Sequence, residues 1–147
     1  MRIEVPEPPD GLNAAKPGDW TRVWARVLAD PSVKVTGFAL LIWADWETGA
    51  RIHPGNERLM KVTGLKGDKS VRDALRQIRE WGLIWRYLEG PKAPFVITRS
   101  GSRKRPSDEY RLTFPDDISA IPLLPPDWET EGLTLWATLW ITSEHRS

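Results

Sequence analysis

The chain has 147 residues, 40% hydrophobic and 28% charged, with 21 Lys and Arg against 20 Asp and Glu. That is long enough for one compact domain with a real core and little more. It contains no cysteine, which excludes disulfides, thiolate catalysis and a thiolate-ligated zinc site.

Residues 1–17 include four prolines and few core-type side chains, the composition of a flexible arm. Their acidic, proline-rich start is unlike a secretory signal. Asp19 stands where a helix cap belongs. Trp20, Val23, Trp24, Val27 and Leu28 follow at helical spacing until Pro31 terminates the run. A second helix is expected over 36–46. Val35, Phe38, Ala39, Ile42, Trp43 and Trp46 share one side of it, and Leu40 and Leu41 widen the apolar surface, so it belongs at the centre of the core. The apolar run 38–44 is far below the ~20 residues that span a bilayer, and the expected location is the cytoplasm. Residues 47–55 read as a loop with a short strand at Arg51-Ile52-His53, placed to pair with later strands.

Residues 56–63 read as a short helix with Leu59, Met60 and Val62 turned inward, closed by Gly64, with Leu65 filling the corner that follows. Over 68–81, Val71, Ala74, Leu75 and Ile78 recur at i, i+3, i+4, i+7 and form one apolar stripe. Lys69, Arg72, Asp73 and Arg76 fall on the opposite side, with Gln77 and Arg79 at its margins. The turn Leu65-Lys66-Gly67-Asp68 leaves Gly67 or Asp68 to cap this helix. Helix, glycine turn, helix is the arrangement that lays a second helix into a DNA major groove.

Gly82 closes that helix, and residues 83–88, rich in aromatic and branched side chains, suit a strand. A second strand is expected over 109–114, where Tyr110, Leu112 and Phe114 alternate with Glu109, Arg111 and Thr113. The connection between them carries Lys92, Arg99, Arg103, Lys104 and Arg105, and Phe95-Val96-Ile97 reads as a third short strand. Beyond 114 the prolines and acids of a linker appear. In the last stretch, helical spacing groups Leu133, Trp136, Ala137, Trp140 and Ile141, although strict alternation fits part of it. A helix is favoured. Such a segment must pack back onto the domain or against a second copy, which would make a homodimer.

The net charge of +1 conceals a division along the chain. Residues 61–105 hold 12 Lys and Arg against 4 acids, a net of +8, which leaves −7 for the remainder. Positive charge gathered on one helix and the following loop is the layout expected for phosphate binding.

The runs Trp43-Ala44-Asp45-Trp46-Glu47-Thr48-Gly49 and Ile52-His53-Pro54-Gly55-Asn56-Glu57-Arg58-Leu59 are followed by Thr63-Gly64-Leu65. Ser70-Val71-Arg72-Asp73-Ala74-Leu75 then leads to Trp81-Gly82-Leu83-Ile84. In order and spacing, this resembles the winged helix-turn-helix domains of phage and plasmid replication-initiation proteins and of bacterial transcription regulators. Those domains place Ser or Thr at the cap of the recognition helix, where this chain has a turn about one residue longer. The resemblance implies an α+β, mostly helical fold: a winged helix-turn-helix with an extra N-terminal helix, a long β-wing and a C-terminal tail. The division is an arm at 1–17, the domain at 18–114, and a linker with the tryptophan-bearing segment at 115–147.

The function so implied is sequence-specific binding of double-stranded DNA in replication initiation or transcription regulation. Lys66, Asp68, Lys69, Ser70, Arg72, Asp73 and Arg76 would face the major groove. Lys92, Arg99, Arg103, Lys104 and Arg105 of the wing would meet backbone phosphate or the minor groove. Trp43, Trp81 and Trp85 are assigned to packing, and Trp136 and Trp140 to an interface. His53 and His145 stand beside no nucleophile or carboxylate cluster, so no enzyme is expected, nor a cofactor, metal, small-molecule ligand or membrane. The alternative is a winged-helix interaction or scaffold module with the C-terminus as its interface.

Overall fold

Two prolines open helices instead of closing them. Pro17 starts α1 (Pro17–Arg26) and Pro31 starts α2 (Pro31–Leu40), each in the first helical turn. There the missing N–H would have had no partner and the fixed φ already suits a helix. Asp19 therefore sits inside α1, not at its cap, and Pro31 begins the second helix where the sequence suggested a stop. The remaining elements are α3 (Gly55–Thr63), α4 (Asp68–Glu80), β1 (Leu12–Ala14), β2 (Ile84–Leu88), β3 (Val96–Ile97), β4 (Arg103–Lys104) and β5 (Glu109–Pro115). The computed structural model describes residues 4–90, 96–97, 101, 103–104 and 107–125, with backbone alone at 96–97 and 103–104.

The fold is α+β. Among the described residues there are four helices and a three-stranded antiparallel sheet of order β1-β5-β2; α1 packs on β5 and α4 on β2, while α2 and α3 pack on the other helices. Leu12, Asn13 and Ala14 pair with Pro115, Phe114 and Thr113, so part of the expected arm is an edge strand. On the other side of β5, Ile84 pairs with Leu112 and Trp85 with Arg111. The expected strand at Ile52 forms as a single bridge: Ile52 and Tyr110 exchange backbone hydrogen bonds of 3.1 and 2.8 Å. Val96–Ile97 pairs with Arg103–Lys104 as a separate two-stranded hairpin that lies between β2 and β5 in chain order.

The core centres on Trp20 and Trp24, both fully buried and stacked with ring centroids 5.1 Å apart. Burying one such ring is worth roughly 4–6 kcal/mol of transfer free energy. Each indole N–H finds a carbonyl: Trp20 donates to Leu83 at 2.7 Å and Trp24 to Lys34 at 3.1 Å. Trp81 tilts against Trp24.

Several expectations about burial are corrected. Val62, expected inward on α3, is 48% exposed, and Leu28, expected on the apolar stripe of the first helix, is 53% exposed. In α2 the inward residues are Thr36, Gly37, Ala39 and Leu40, whereas Phe38, Ile42 and Trp46 are 40%, 62% and 75% exposed. The reason is Gly37, whose bare backbone lies against the Trp24 indole and turns that small-residue side inward. The helix ends at Leu40, short of the expected 46, and tightens into i→i−3 bonds as far as Trp43. In β5 the alternation fails: Arg111 and Thr113 are buried together with Tyr110 and Leu112. The strand lies between two others, and Arg111 Nη1 donates to Pro6 O at 2.9 Å, so the N-terminal segment covers the side expected to meet water.

Residues 121–124 also belong to the packed body. Ile121 is buried, Leu123 bridges Val27, Leu28 N–H donates to Pro122 O, and Leu124 N–H donates to Arg26 O. The part of the expected C-terminal segment beyond residue 125, including Trp136 and Trp140, lies outside the described residues. No helix among the described residues is long and apolar enough to cross a membrane.

Candidate nucleic-acid interface

α3 and α4 owe their junction to two glycines. Gly64 ends α3 in the left-handed region at φ 77°, its N–H bonding Met60 O at 2.9 Å. Gly67, at φ 114°, occupies the cap of α4, a backbone that side chains rarely adopt. Neither Gly67 nor Asp68 gives this helix a side-chain cap bond. Leu65 packs between them onto the core. A direct tie crosses the turn: Asn56 Nδ2 donates to Asp68 Oδ1 at 2.9 Å, joining the first turn of α3 to that of α4.

α4 is two-faced. Val71, Ala74, Leu75 and Ile78 are buried, and Trp81, Gly82 and Leu83 close the helix with Gly82 N–H on Arg79 O and Leu83 N–H on Ile78 O, the doubly bonded glycine ending. On the outer side Lys69, Arg72 and Arg76 form a row with side chains 80%, 58% and 59% exposed. Lys66 is exposed in the turn before them and Ser70 is half-buried at the helix flank.

Each of the three cations in the row has a carboxylate on its own helix. Lys69 meets Asp73 at 2.6 Å, Arg72 meets Asp68 at 2.6 Å, and Arg76 meets Asp73 at 3.5 Å. The Lys69 hydrogen bond, with the charges of Lys69, Arg76 and Arg72, holds the Asp73 carboxyl below the usual carboxylate range. Exposed i, i+4 pairs of this kind are worth only ~0.3–0.5 kcal/mol, so they orient the cations without locking them. The row reads as +3 against −2, a pre-shaped donor surface that phosphate or a guanine edge could take over from the carboxylates.

The strand pair beside α4 is anchored at its base. Asp108 accepts from Gly90 N–H at 2.7 Å and from Arg86 at 3.3 Å, which closes the two ends of the 91–107 connection onto each other. Tyr87 donates its hydroxyl proton to Glu109 and accepts from Arg51 N–H at 3.1 Å, tying the hairpin to the loop before α3. Arg51 itself has φ 63°. Sequence patterning missed this network, because its members are joined by tertiary contact, with bonded partners up to 36 residues apart. Of the expected wing contacts, Arg103 and Lys104 fall on β4, with their side chains outside the described set. Lys92, Arg99 and Arg105 lie outside the described residues.

Comparison with known proteins matches this chain to no family, no curated protein and no solved structure. Among the described residues no group of three or more His, Asp or Glu is placed to hold a metal ion.

Proposed function

We propose that the chain is a winged helix-turn-helix domain that binds double-stranded DNA with α4 in the major groove and the β2–β5 hairpin alongside. The observation that carries this reading is the outward row of Lys69, Arg72 and Arg76 on the second of two helices joined by a tight glycine turn. The element order supports it: α2, the Ile52 bridge, α3, α4, then a hairpin whose second strand pairs with Ile52. Arg72 and Arg76 are the groups best suited to guanine edges, and Lys69 and Lys66 to phosphate. The setting is replication initiation at a plasmid or phage origin, or control of transcription.

Selection of bound sites from random duplexes, followed by anisotropy titration on the selected site, tests this. Arg72→Ala and Arg76→Ala are each expected to cost about 1–3 kcal/mol and to relax the selected sequence. Variants that bind as tightly and as selectively as the parent would refute the reading.

One observation favours a second reading, a protein-interaction module: the carboxylates of Asp68 and Asp73 leave α4 with little free positive charge. Salt-sensitive retention on random DNA favours the first reading; no retention, with oligomers that depend on the C-terminal segment, favours the second.

A further inference from the structure

The outer side of α2 is apolar and uncovered. Val35, Phe38 and Ile42, the last in the closing turn of α2, fall at i, i+3, i+7 and are 37%, 40% and 62% exposed. They lie opposite the inward Thr36, Gly37, Ala39 and Leu40. At the start of this stripe is an open cavity of about 520 Å³ whose lining includes Leu28, Lys34 and Leu124. Lys34 links it to the stripe, its Nζ being 5.7 Å from the Phe38 ring centroid.

The described chain ends at this cavity, and its direction there is informative. Residues 122–124 run antiparallel to 26–28, held by Leu28 N–H on Pro122 O and Leu124 N–H on Arg26 O, both 2.8 Å, and by the Arg26 guanidinium on Leu124 O. The chain therefore leaves Pro125 pointing back along α1. Because Lys34 reaches the Val27 carbonyl and Gly37 lies against Trp24, back along α1 is forward along α2.

We propose that residues 133–141 of this same chain cover the outer side of α2 as an amphipathic helix. Leu133, Trp136, Ala137, Trp140 and Ile141 supply a matching apolar stripe at helical spacing. It would be ~12 Å long, against ~10 Å from Val35 to Ile42. The intervening residues 126–132 reach up to ~23 Å when extended, more than the length of α2. A tether this short holds the segment at roughly millimolar effective concentration, which favours its own α2 over that of a second copy. This docking does not depend on DNA binding by α4.

Hydrogen exchange followed by mass spectrometry on the full chain is the test, with light scattering to give the mass. Amides of 133–141 are expected to exchange at least a hundredfold more slowly than in an unstructured chain, in a monomer. Ile42→Glu, at a position already open to water, and Trp140→Glu should each remove at least tenfold of that protection while leaving α4 and β5 unchanged. Unprotected amides in the parent, or protection that survives Ile42→Glu, would overturn the proposal. Protection lost on dilution of a dimer would also overturn it and give this surface to a second copy.

Discussion

Gly37 lies so close to Trp24 that a Cβ on the glycine would sit 2.1 Å from Cε2 of the indole and 2.2 Å from Cζ2. The ring cannot retreat, since it is stacked on Trp20 and its N–H is bonded to Lys34 O. Gly37→Ala should therefore destabilise the protein, by about 1–3 kcal/mol for overpacking, even though alanine favours a helix over glycine by ~1 kcal/mol. Urea unfolding checks it. A variant as stable as the parent would mean that the α1–α2 contact is looser than the geometry states.

Lys34 closes the end of α1 from the neighbouring helix. Its ammonium donates to the carbonyls of Ala25 at 3.1 Å and Val27 at 2.6 Å, and to that of Trp24. The last carbonyls of a helix have no partner further along it; here Trp24 O also takes the Val27 N–H at 3.0 Å, and Lys34 serves all three. Lys34→Met keeps much of the stem and removes the donors, at an expected loss of about 1.5–3 kcal/mol, the range for hydrogen bonds to a charged group. The loss should persist in 1 M salt, roughly, because the acceptors are backbone carbonyls and not ions. A loss that disappears on adding salt would contradict this origin.

What the sequence made legible, and what it hid, follows from where the deciding contact lies. The buried stripe of α4 and the glycine endings at Gly64 and Gly82 are local patterns, and the structure has each of them. The inward side of α2 was not legible, because hydrophobic residues lie on both sides and the choice is made by Trp24, thirteen positions from Gly37. Pro31 could stop one helix or start the next, and only the chain path decides. Arg111 looks like a solvent-facing member of an alternating strand until the carbonyl of Pro6, 105 residues away, accepts its hydrogen bond. For the candidate interface, spacing put Lys69, Arg72 and Arg76 on one side of α4, but the Asn56–Asp68 tie across the turn could not be read from spacing.

The two tyrosines, the only ones in the chain, should both resist ionisation. Burial pushes the Tyr110 hydroxyl up to about 12, with the Asp108 charge adding to it; burial, then the hydrogen bond to Glu109, raises Tyr87. A tyrosine pKa raised in the folded state contributes stability that is fully present below ~10, its unfolded value. That contribution is lost as pH climbs through the folded value. Folding stability should thus decline between pH ~10 and about 12. The phenolate absorbance near 295 nm should stay low at pH ~10 in the folded protein and appear at once on adding denaturant. A full phenolate signal in the native protein at that pH would show that these hydroxyls are open to water.

Asp73 offers the sharpest separation between a structural and a binding role for the α4 cations. Its carboxylate holds both Lys69 and Arg76 and is itself well exposed. Asp73→Asn keeps the shape, removes one negative charge from the row, and forfeits only the few tenths of a kcal/mol that such pairs contribute. If the row meets DNA, the variant should bind random duplex several-fold more tightly at ~0.1 M salt, with a slope of log K against log salt steeper by ~0.9, the value for one additional phosphate neutralised. Selectivity between the preferred site and random duplex should fall, since the freed cations no longer give up an orienting partner only at the right base. Unchanged random-duplex affinity and unchanged salt slope, in a variant that folds normally, would mean that α4 does not face the phosphates.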